Sequence, residues 1–186
     1  MHLKVGPPPT VRRPTLARVS DPDGPAATEP RWLDAEQQQT WRAFLLGTTL
    51  LNDRLEEDLR RRFGMSLVEY EVMVRLSESD GQMRMAQLAD SLAHSRSRIT
   101  HTVARMERDG LVERCDSPED RRGVLARLTP AGWQALETAA PVHVNGVRDY
   151  LVDLASPEDF AALRRVMDAV ADRLIGDHPA RELRAT

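Results

Sequence analysis

At 186 residues, the chain is long enough for one domain with its own core. Charged residues make up 30% of it and aromatic residues only 4%, which favours a helix-rich protein over a β-sandwich. The formal net charge of −3 argues against a histone-like protein that binds nucleic acid through charge alone, but allows a local basic surface. The single cysteine excludes an internal disulfide, and no apolar stretch is long enough for a signal peptide or membrane span. We therefore expect a cytoplasmic protein without a membrane partner.

The two ends of the chain lack a regular pattern. Residues 1–31 are dense in proline, glycine and alanine and have neither a helical nor a strand period, which predicts a disordered arm. Arg12, Arg13 and Arg18 in this arm could contact a phosphate backbone, and the alternative is a passive tail. Residues 177–186 are expected to form a short C-terminal tail.

Long amphipathic helices are predicted at both ends of the domain between these tails. From about residue 33 to residue 63, apolar residues recur at steps of three and four, and Gly64 is placed to end the helix. A second helical region covers about 131–175, where Pro130 suits a first helical position and Ser156 begins a new helix. Helices apolar along this length favour partner helices as well as a core. The sequence therefore predicts a dimerisation region built from both ends, and a homodimer.

The segment between these helices, about residues 66–129, is divided into shorter elements by helix caps and turn residues. Ser66 and Glu69 match a capping box that opens a helix, "SDGQMRM" breaks that helix, and "AQLADSLA" predicts a short one. Ser95 then suits the N-cap of a helix over residues 96–108. Two helices joined by a tight turn are typical of a helix-turn-helix.

The helix over residues 96–108 has two contrasting faces. Ile99, Val103 and Met106 follow one another at steps of four and three, which places them on an inward face. The opposite face has four basic or potentially basic groups, two small residues and no acid: Ser97, Arg98, His101, Ala104, Arg105 and Arg108. Small residues allow close approach to a groove floor, and serine and arginine offer donors to phosphates and base edges. This face predicts nucleic-acid binding, with an ordinary solvated face as the alternative.

A β-hairpin is predicted after this helix. Beyond Gly110, "LVERC" predicts a strand, "DSPEDRRG" a turn and "VLARLT" a returning strand. The fold class is therefore mainly α with a small β-hairpin wing, a winged helix-turn-helix whose second helix enters the major groove of DNA. Arg121 and Arg122 at the tip suit the narrow minor groove beside it. Asp116, Glu119 and Asp120 are positioned to screen one of these two arginines.

The stretch "SRSRITHTVARMERDGLVERCDSPEDRRGVLARLTPAG" resembles the winged-helix core of the MarR family of bacterial transcription regulators. The residues that carry the resemblance are Ser95, Ser97, Thr100, Gly110-Leu111-Val112, Asp116-x-x-x-Asp120-Arg121-Arg122 and Leu128-Thr129-Pro130-x-Gly132. The resemblance covers the architecture of a domain over about residues 32–176 and leaves out the N-terminal arm. It implies a homodimer that binds a roughly palindromic operator in double-stranded DNA, usually as a repressor released by a small aromatic or phenolic ligand or by oxidation.

The basic face and the resemblance together give the expected DNA contacts. These are Ser95, Arg96, Ser97, Arg98, Thr100, His101, Arg105, Arg121 and Arg122. His101 stands where the family frequently has an arginine, which bears on base preference at that point. Cys115 does not match the amino-terminal sensing cysteine of the family's peroxide-responsive branch, so thiol-based sensing of that kind is not expected.

An effector cleft is expected between the helical dimer base and the DNA-binding lobe. Its candidate lining residues are Trp32, Trp41, Glu71, Arg75 and His94. Trp41 lies on an apolar stripe, so a place in the core is the alternative for it. Trp32 with Glu71 is only loosely similar to the pattern of urate-sensing relatives.

Two other functions are considered beside the regulator. A winged helix can serve as a protein-interaction module without specific DNA binding, in which case the basic face is incidental. An enzyme is disfavoured because the sequence has no Gly-rich phosphate loop, no paired cysteines for zinc and no nucleophile elbow, and its histidines are scattered. No cofactor or metal is expected.

Overall fold

The structure is a computed structural model that describes residues 30–116 and 123–175. The predicted tail over 177–186, the wing tip over 117–122 and nearly all of the predicted N-terminal arm lie outside these described residues. In the described part of the chain, no helix combines the length and the apolar character needed to cross a membrane.

The first helix, α1, covers Ala35–Phe63 and agrees with the predicted one. Asp34 caps its start, since the side chain accepts a hydrogen bond from the Gln37 N–H at 2.8 Å. Gly64 ends the helix in the left-handed conformation (φ 65°), and its N–H donates to the Arg60 carbonyl. The C-terminal half of α1 packs on the core through Leu55 and Leu59, whereas no residue of its N-terminal half is buried.

The middle of the chain forms the predicted helix-turn-helix. Helix α2 covers Leu67–Ser77, α3 covers Met85–Ser91 and α4 covers Arg96–Arg108. Both predicted caps are confirmed: Ser66 and Glu69 make the capping box of α2, and the Ser95 side chain accepts from the Arg98 N–H at 3.3 Å.

The sheet has three strands rather than the two of a simple hairpin. Strand β1 is Gln82–Arg84, β2 is Val112–Asp116 and β3 is Val124–Leu128. The order is β1-β3-β2, all antiparallel, with Gln82 opposite Arg127 and Val112 opposite Leu128. Strand β1 lies inside "SDGQMRM", where the sequence predicted only a break, because three residues are too few to show an alternating pattern.

The remaining helices are α5, Pro130–Tyr150, and α6, Pro157–Ile175, with a short 3₁₀ turn at Val152–Leu154 between them. Thr129 caps α5, accepting a hydrogen bond from the Gly132 N–H at 3.0 Å. Gly132 is needed for packing because a Cβ there would lie 2.1 Å from the Leu111 carbonyl oxygen.

The core lies where α2, α3 and α4 meet the sheet, the end of α1 and the start of α5. Its fully buried large side chains are Leu59, Val72, Met73, Leu76, Leu88, Ile99, Val103, Met106 and Val112. The inward face predicted for α4 is thus confirmed, and β3 adds the buried Ala126 and Leu128, while Val124 at the end of the hairpin is 43% exposed. This core fixes α4 from beneath and leaves its outer face to solvent.

Candidate nucleic-acid interface

The predicted DNA-binding face of α4 lies on the surface. Every charged or hydroxyl side chain of that face is exposed, and Ala104 is half-buried. No acid occurs in the first turn, where the helix N-terminus supplies a positive dipole. Among the described residues, no carboxylate lies within salt-bridge distance of Arg96, Arg98 or Arg108. Within residues 30–116 and 123–175, no carboxylate therefore has to be displaced before these three guanidinium groups can meet an anion.

Arg105 differs from the other arginines of this face. Its Nε donates to Glu69 Oε1 at 2.5 Å, and the Glu69 side chain is only 9% exposed. Burial by itself would raise the pKa of Glu69, but hydrogen bonds from Ser66 and Arg105 outweigh it and hold that pKa below its ordinary value. Arg105 is thus held against α2 by a charged carboxylate.

The base of the wing is fixed to the C-terminal end of α4. Arg114 on β2 donates from Nη2 to Glu107 Oε2 at 2.6 Å and from its backbone N–H to Glu107 Oε1 at 3.1 Å. These hydrogen bonds from Arg114 hold the pKa of Glu107 below its usual range. On the neighbouring strand, the Arg127 guanidinium bridges Gln82 and Glu113 across the sheet. The strands that carry the tip are therefore anchored, although Arg121 and Arg122 themselves lie outside the described residues.

A cleft of about 700 Å³ lies beside the same helix, between α1, the start of α2 and α4. Its walls hold Asn52, Asp53, Glu56, Arg60, Ser66, Leu67, Val68, Glu71, His94, Arg98, His101, Thr102 and Arg105. Burial raises the pKa of Glu71. The pKa of His94 is lowered, mainly by burial and to a smaller extent by the positive charge of the nearby Arg98. The cleft and the basic face therefore share Arg98, His101 and Arg105 as a wall.

Two of the five predicted effector residues, Glu71 and His94, line this cleft, and the other three do not. Arg75 pairs with Glu78 at 2.8 Å on the surface of α2. Trp32 is 84% exposed and Trp41 is 51% exposed, so neither belongs to the core of this chain. The Trp41 ring stacks on the Phe44 ring, with 5.8 Å between the ring centroids. The two acids and the arginine that α1 contributes to the cleft, Asp53, Glu56 and Arg60, were not predicted, because a sequence does not show which turn of a long helix faces another element.

Comparison with known proteins agrees with this architecture. The sequence model of the MarR family matches residues 63–123. The crystal structure of Sco3205, a MarR family transcriptional regulator from Streptomyces coelicolor in complex with DNA, is 43% identical and has a TM-score of 0.76, with 80% of this chain and 93% of Sco3205 covered. This chain belongs to the MarR family of transcriptional regulators.

Two further relatives are transcriptional regulators, and one of them is named as a MarR family member. AbsC, another MarR family regulator from Streptomyces coelicolor, is 41% identical with a TM-score of 0.76, and the match covers 79% of this chain and 99% of AbsC. The transcriptional repressor IacR from Pseudomonas putida is 32% identical over 81 residues, which are 44% of this chain and 48% of IacR. The predicted family and winged-helix fold are thus confirmed. Membership of a family of transcriptional regulators argues against the enzyme alternative.

Proposed function

We propose that this MarR-family regulator binds a specific DNA sequence as a homodimer and represses transcription from a palindromic operator until a small effector binds. The observation that carries the proposal is the acid-free outer face of α4, exposed to solvent while Ile99, Val103 and Met106 hold the helix rigidly from beneath. A rigid helix with exposed donors suits the major groove, whose base edges it can approach without reorganisation.

Within this proposal, the first turns of α4 read the major groove. Ser95, Arg96, Ser97, Arg98, Thr100 and His101 supply the hydroxyl, guanidinium and imidazole groups. Arg121 and Arg122 reach the adjacent minor groove from a hairpin whose base is anchored by the Arg114 to Glu107 pair. DNA in the crystal structure of Sco3205, at 43% identity, favours this reading.

The homodimer is supported by apolar surface at both ends of the chain. Helix α6 has no buried residue among its described side chains, and it makes few close contacts with other elements. Its apolar stripe is exposed at Phe160, Leu163, Val166, Val170 and Leu174. The N-terminal half of α1 adds Trp41, Leu45, Leu46 and Leu50, each between 45% and 62% exposed. A second copy would cover both stripes, which supports residues 33–63 and 131–175 as the dimerisation helices of a domain over about 32–176.

The palindrome and the repressor role follow from that dimer. Two-fold symmetry presents two copies of α4 to one duplex, which calls for half-sites related by the same symmetry and spaced about 34–36 Å apart. A dimer covering such a site obstructs other proteins there, and the relative IacR is named a repressor.

The effector response rests on the wall shared by the cleft and α4. A ligand placed between Glu71, His94 and Arg98 would contact the helix that meets DNA, so binding of the two would be coupled through one element. The mixture of apolar, cationic and carboxyl groups in the cleft suits a small aromatic or phenolic molecule with one acidic group.

Selection from randomised duplex DNA tests the proposal. We expect an enriched palindrome whose half-site centres are about one helical turn apart, bound with an affinity that falls steeply as salt rises. No enriched sequence and weak salt dependence would favour the alternative, a winged-helix module that binds a protein.

The wing has its own test in Arg121→Ala and Arg122→Ala. If the residue enters a groove, operator binding weakens by about 1–3 kcal/mol while the melting temperature stays nearly unchanged. A large loss of folding stability with the operator affinity intact would make the wing arginines structural.

A further inference from the structure

Two sets of hydrogen bonds, joined by the peptide bond between Ser66 and Leu67, connect α1 to α4 through the start of α2. Arg60 pairs with Glu56 on α1, and Glu56 Oε2 accepts from the Leu67 N–H of α2 at 2.5 Å. One residue earlier, the Ser66 N–H donates to Glu69 Oε2 at 2.8 Å, and Glu69 Oε1 accepts from Arg105 of α4. Two carboxylates thus hold one helix N-terminus between the dimerisation helix and the outer face of α4.

The carboxylate of Glu69 has two tasks at once. One oxygen completes the capping box, accepting from both the backbone N–H and the hydroxyl of Ser66. The other oxygen is left for Arg105, which reaches it across 36 residues of sequence. Because the carboxylate is fixed by the cap and nearly buried, its pair with Arg105 ties α4 to the start of α2, in addition to the core packing beneath the helix.

The location of Arg105 on α4 argues against a simple role as a DNA contact. It follows Ser95 by ten residues, about 15 Å along the helix axis from the N-terminal turn proposed to meet bases. Its guanidinium lines both the large cleft and a second cleft bounded by Phe63 and Asp109, on the side of α4 that faces α1 and α2.

We propose that Glu69 is a positioning residue for DNA binding, which acts through Arg105 to fix the orientation of α4 against the α2 turn that Glu56 joins to α1. This inference rests on the proposed DNA-binding function. It assigns Arg105, expected from sequence to contact DNA, to holding the helix that makes the contacts.

Glu69→Gln distinguishes a positioning role from a purely electrostatic one, because the two roles predict opposite changes in DNA affinity. Glutamine at this position still completes a capping box with Ser66, so α2 keeps its start. Removing a negative charge near a polyanion should tighten binding if charge alone matters. Loss of positioning should instead weaken binding to the selected operator by about 5- to 20-fold, in the range of typical coupling between sites.

The experiment measures operator affinity across a salt series for wild type, Glu69→Gln, Arg105→Ala and the double variant. Arg108→Ala is measured for comparison, because it removes an arginine of the basic face that can meet DNA but does not pair with Glu69. We expect both single changes to weaken binding by similar factors, the double variant to be no weaker than Arg105→Ala, and the salt slope of Arg105→Ala to match wild type. Tighter or unchanged binding by Glu69→Gln overturns the proposal. So does an Arg105→Ala slope reduced by about one, which marks a phosphate contact.

Amide hydrogen exchange measured without DNA tests the role of Glu69 independently of the proposed DNA-binding function. In Glu69→Gln, but not in Arg108→Ala, the amides of α4 should exchange faster, because the helix has lost its tie to α2. If wild type selects no DNA sequence, the proposed function fails while this exchange result still tests the tie. Equal exchange in the two variants would show that Glu69 does not hold α4.

Discussion

Helices α4 and α6 carry apolar stripes of similar spacing in opposite environments. In α4, Ile99, Val103 and Met106 are fully buried beneath a polar face. In α6, Val166 and Val170 are 56% and 45% exposed, and no helix or strand of the described residues packs closely against α6. An amphipathic pattern therefore shows that a helix face tends to be buried, but it does not show whether the same chain or a second one covers that face. The winged-helix core is stabilised within one chain, whereas the proposed dimer would cover the apolar stripes of the terminal helices with a second copy.

The largest expected effect is a cavity in the core. Leu88 of α3 is fully buried, so Leu88→Ala should lower the free energy of unfolding by about 2–5 kcal/mol. Denaturation by urea at two protein concentrations should give the same loss, because the cavity lies within one chain. The exposed neighbour Gln87→Ala should change stability by less than about 0.5 kcal/mol. A similar loss in both variants would contradict the assignment of the core.

A polar group on the α6 stripe should act on association instead. Val170→Asn would place an amide without a partner in the proposed interface, at a cost of about 1–3 kcal/mol for each copy. Sedimentation should show dissociation at concentrations where wild type is dimeric. Arg164→Gln, on a side chain that is 82% exposed, should leave the dimer intact. A Val170→Asn protein that stays as dimeric as wild type would remove α6 from the interface.

A smaller effect is expected where the two regions join. Thr129 caps α5 and donates to the Gly110 carbonyl at 2.7 Å. Thr129→Ala should lower the free energy of unfolding by about 0.5–2 kcal/mol, and Thr129→Ser, which keeps the hydroxyl, should recover most of it. Thermal melts of the three proteins check this, and equal losses in both variants would assign the effect to the lost methyl group rather than to the cap.

The smallest expected effect is the contribution of Glu69 to the pH dependence of stability. Its folded pKa lies below the ordinary value of 4.5, so its stabilisation is complete above about pH 4.5 and is lost as the pH falls through the folded pKa. Unfolding titrations from pH 7 to pH 3 should therefore show a steeper loss of stability in wild type than in Glu69→Gln. Parallel curves for the two proteins would show that the charge of Glu69 contributes no pH-dependent stability.

The sequence predicts this fold well at helix ends, where the residue type that caps or starts a helix is set by local geometry. Gly64, Ser66, Ser95 and Pro130 end or begin helices as expected, since caps depend on local geometry alone. Strand β1 was missed because its pairing partner, β3, lies more than 40 residues away in sequence.

The candidate site is predictable on the face of one helix but not between helices. The 3.6-residue period gave the exposed residues of α4 from spacing alone. Glu69 was recognised only as a cap, because nothing local indicates that its second oxygen meets Arg105. For the same reason, Trp32 and Trp41 were placed at a cleft that the structure forms without them.

The central claim is that two copies of this chain place their α4 helices on one specific duplex. The most direct measurement is sedimentation of the protein with the selected duplex and with a scrambled duplex of the same composition, each at low and high salt. The account predicts two chains per selected duplex, weaker binding to the scrambled one, and a steep loss of affinity with salt. One chain per duplex, or equal affinity for both sequences, would contradict it.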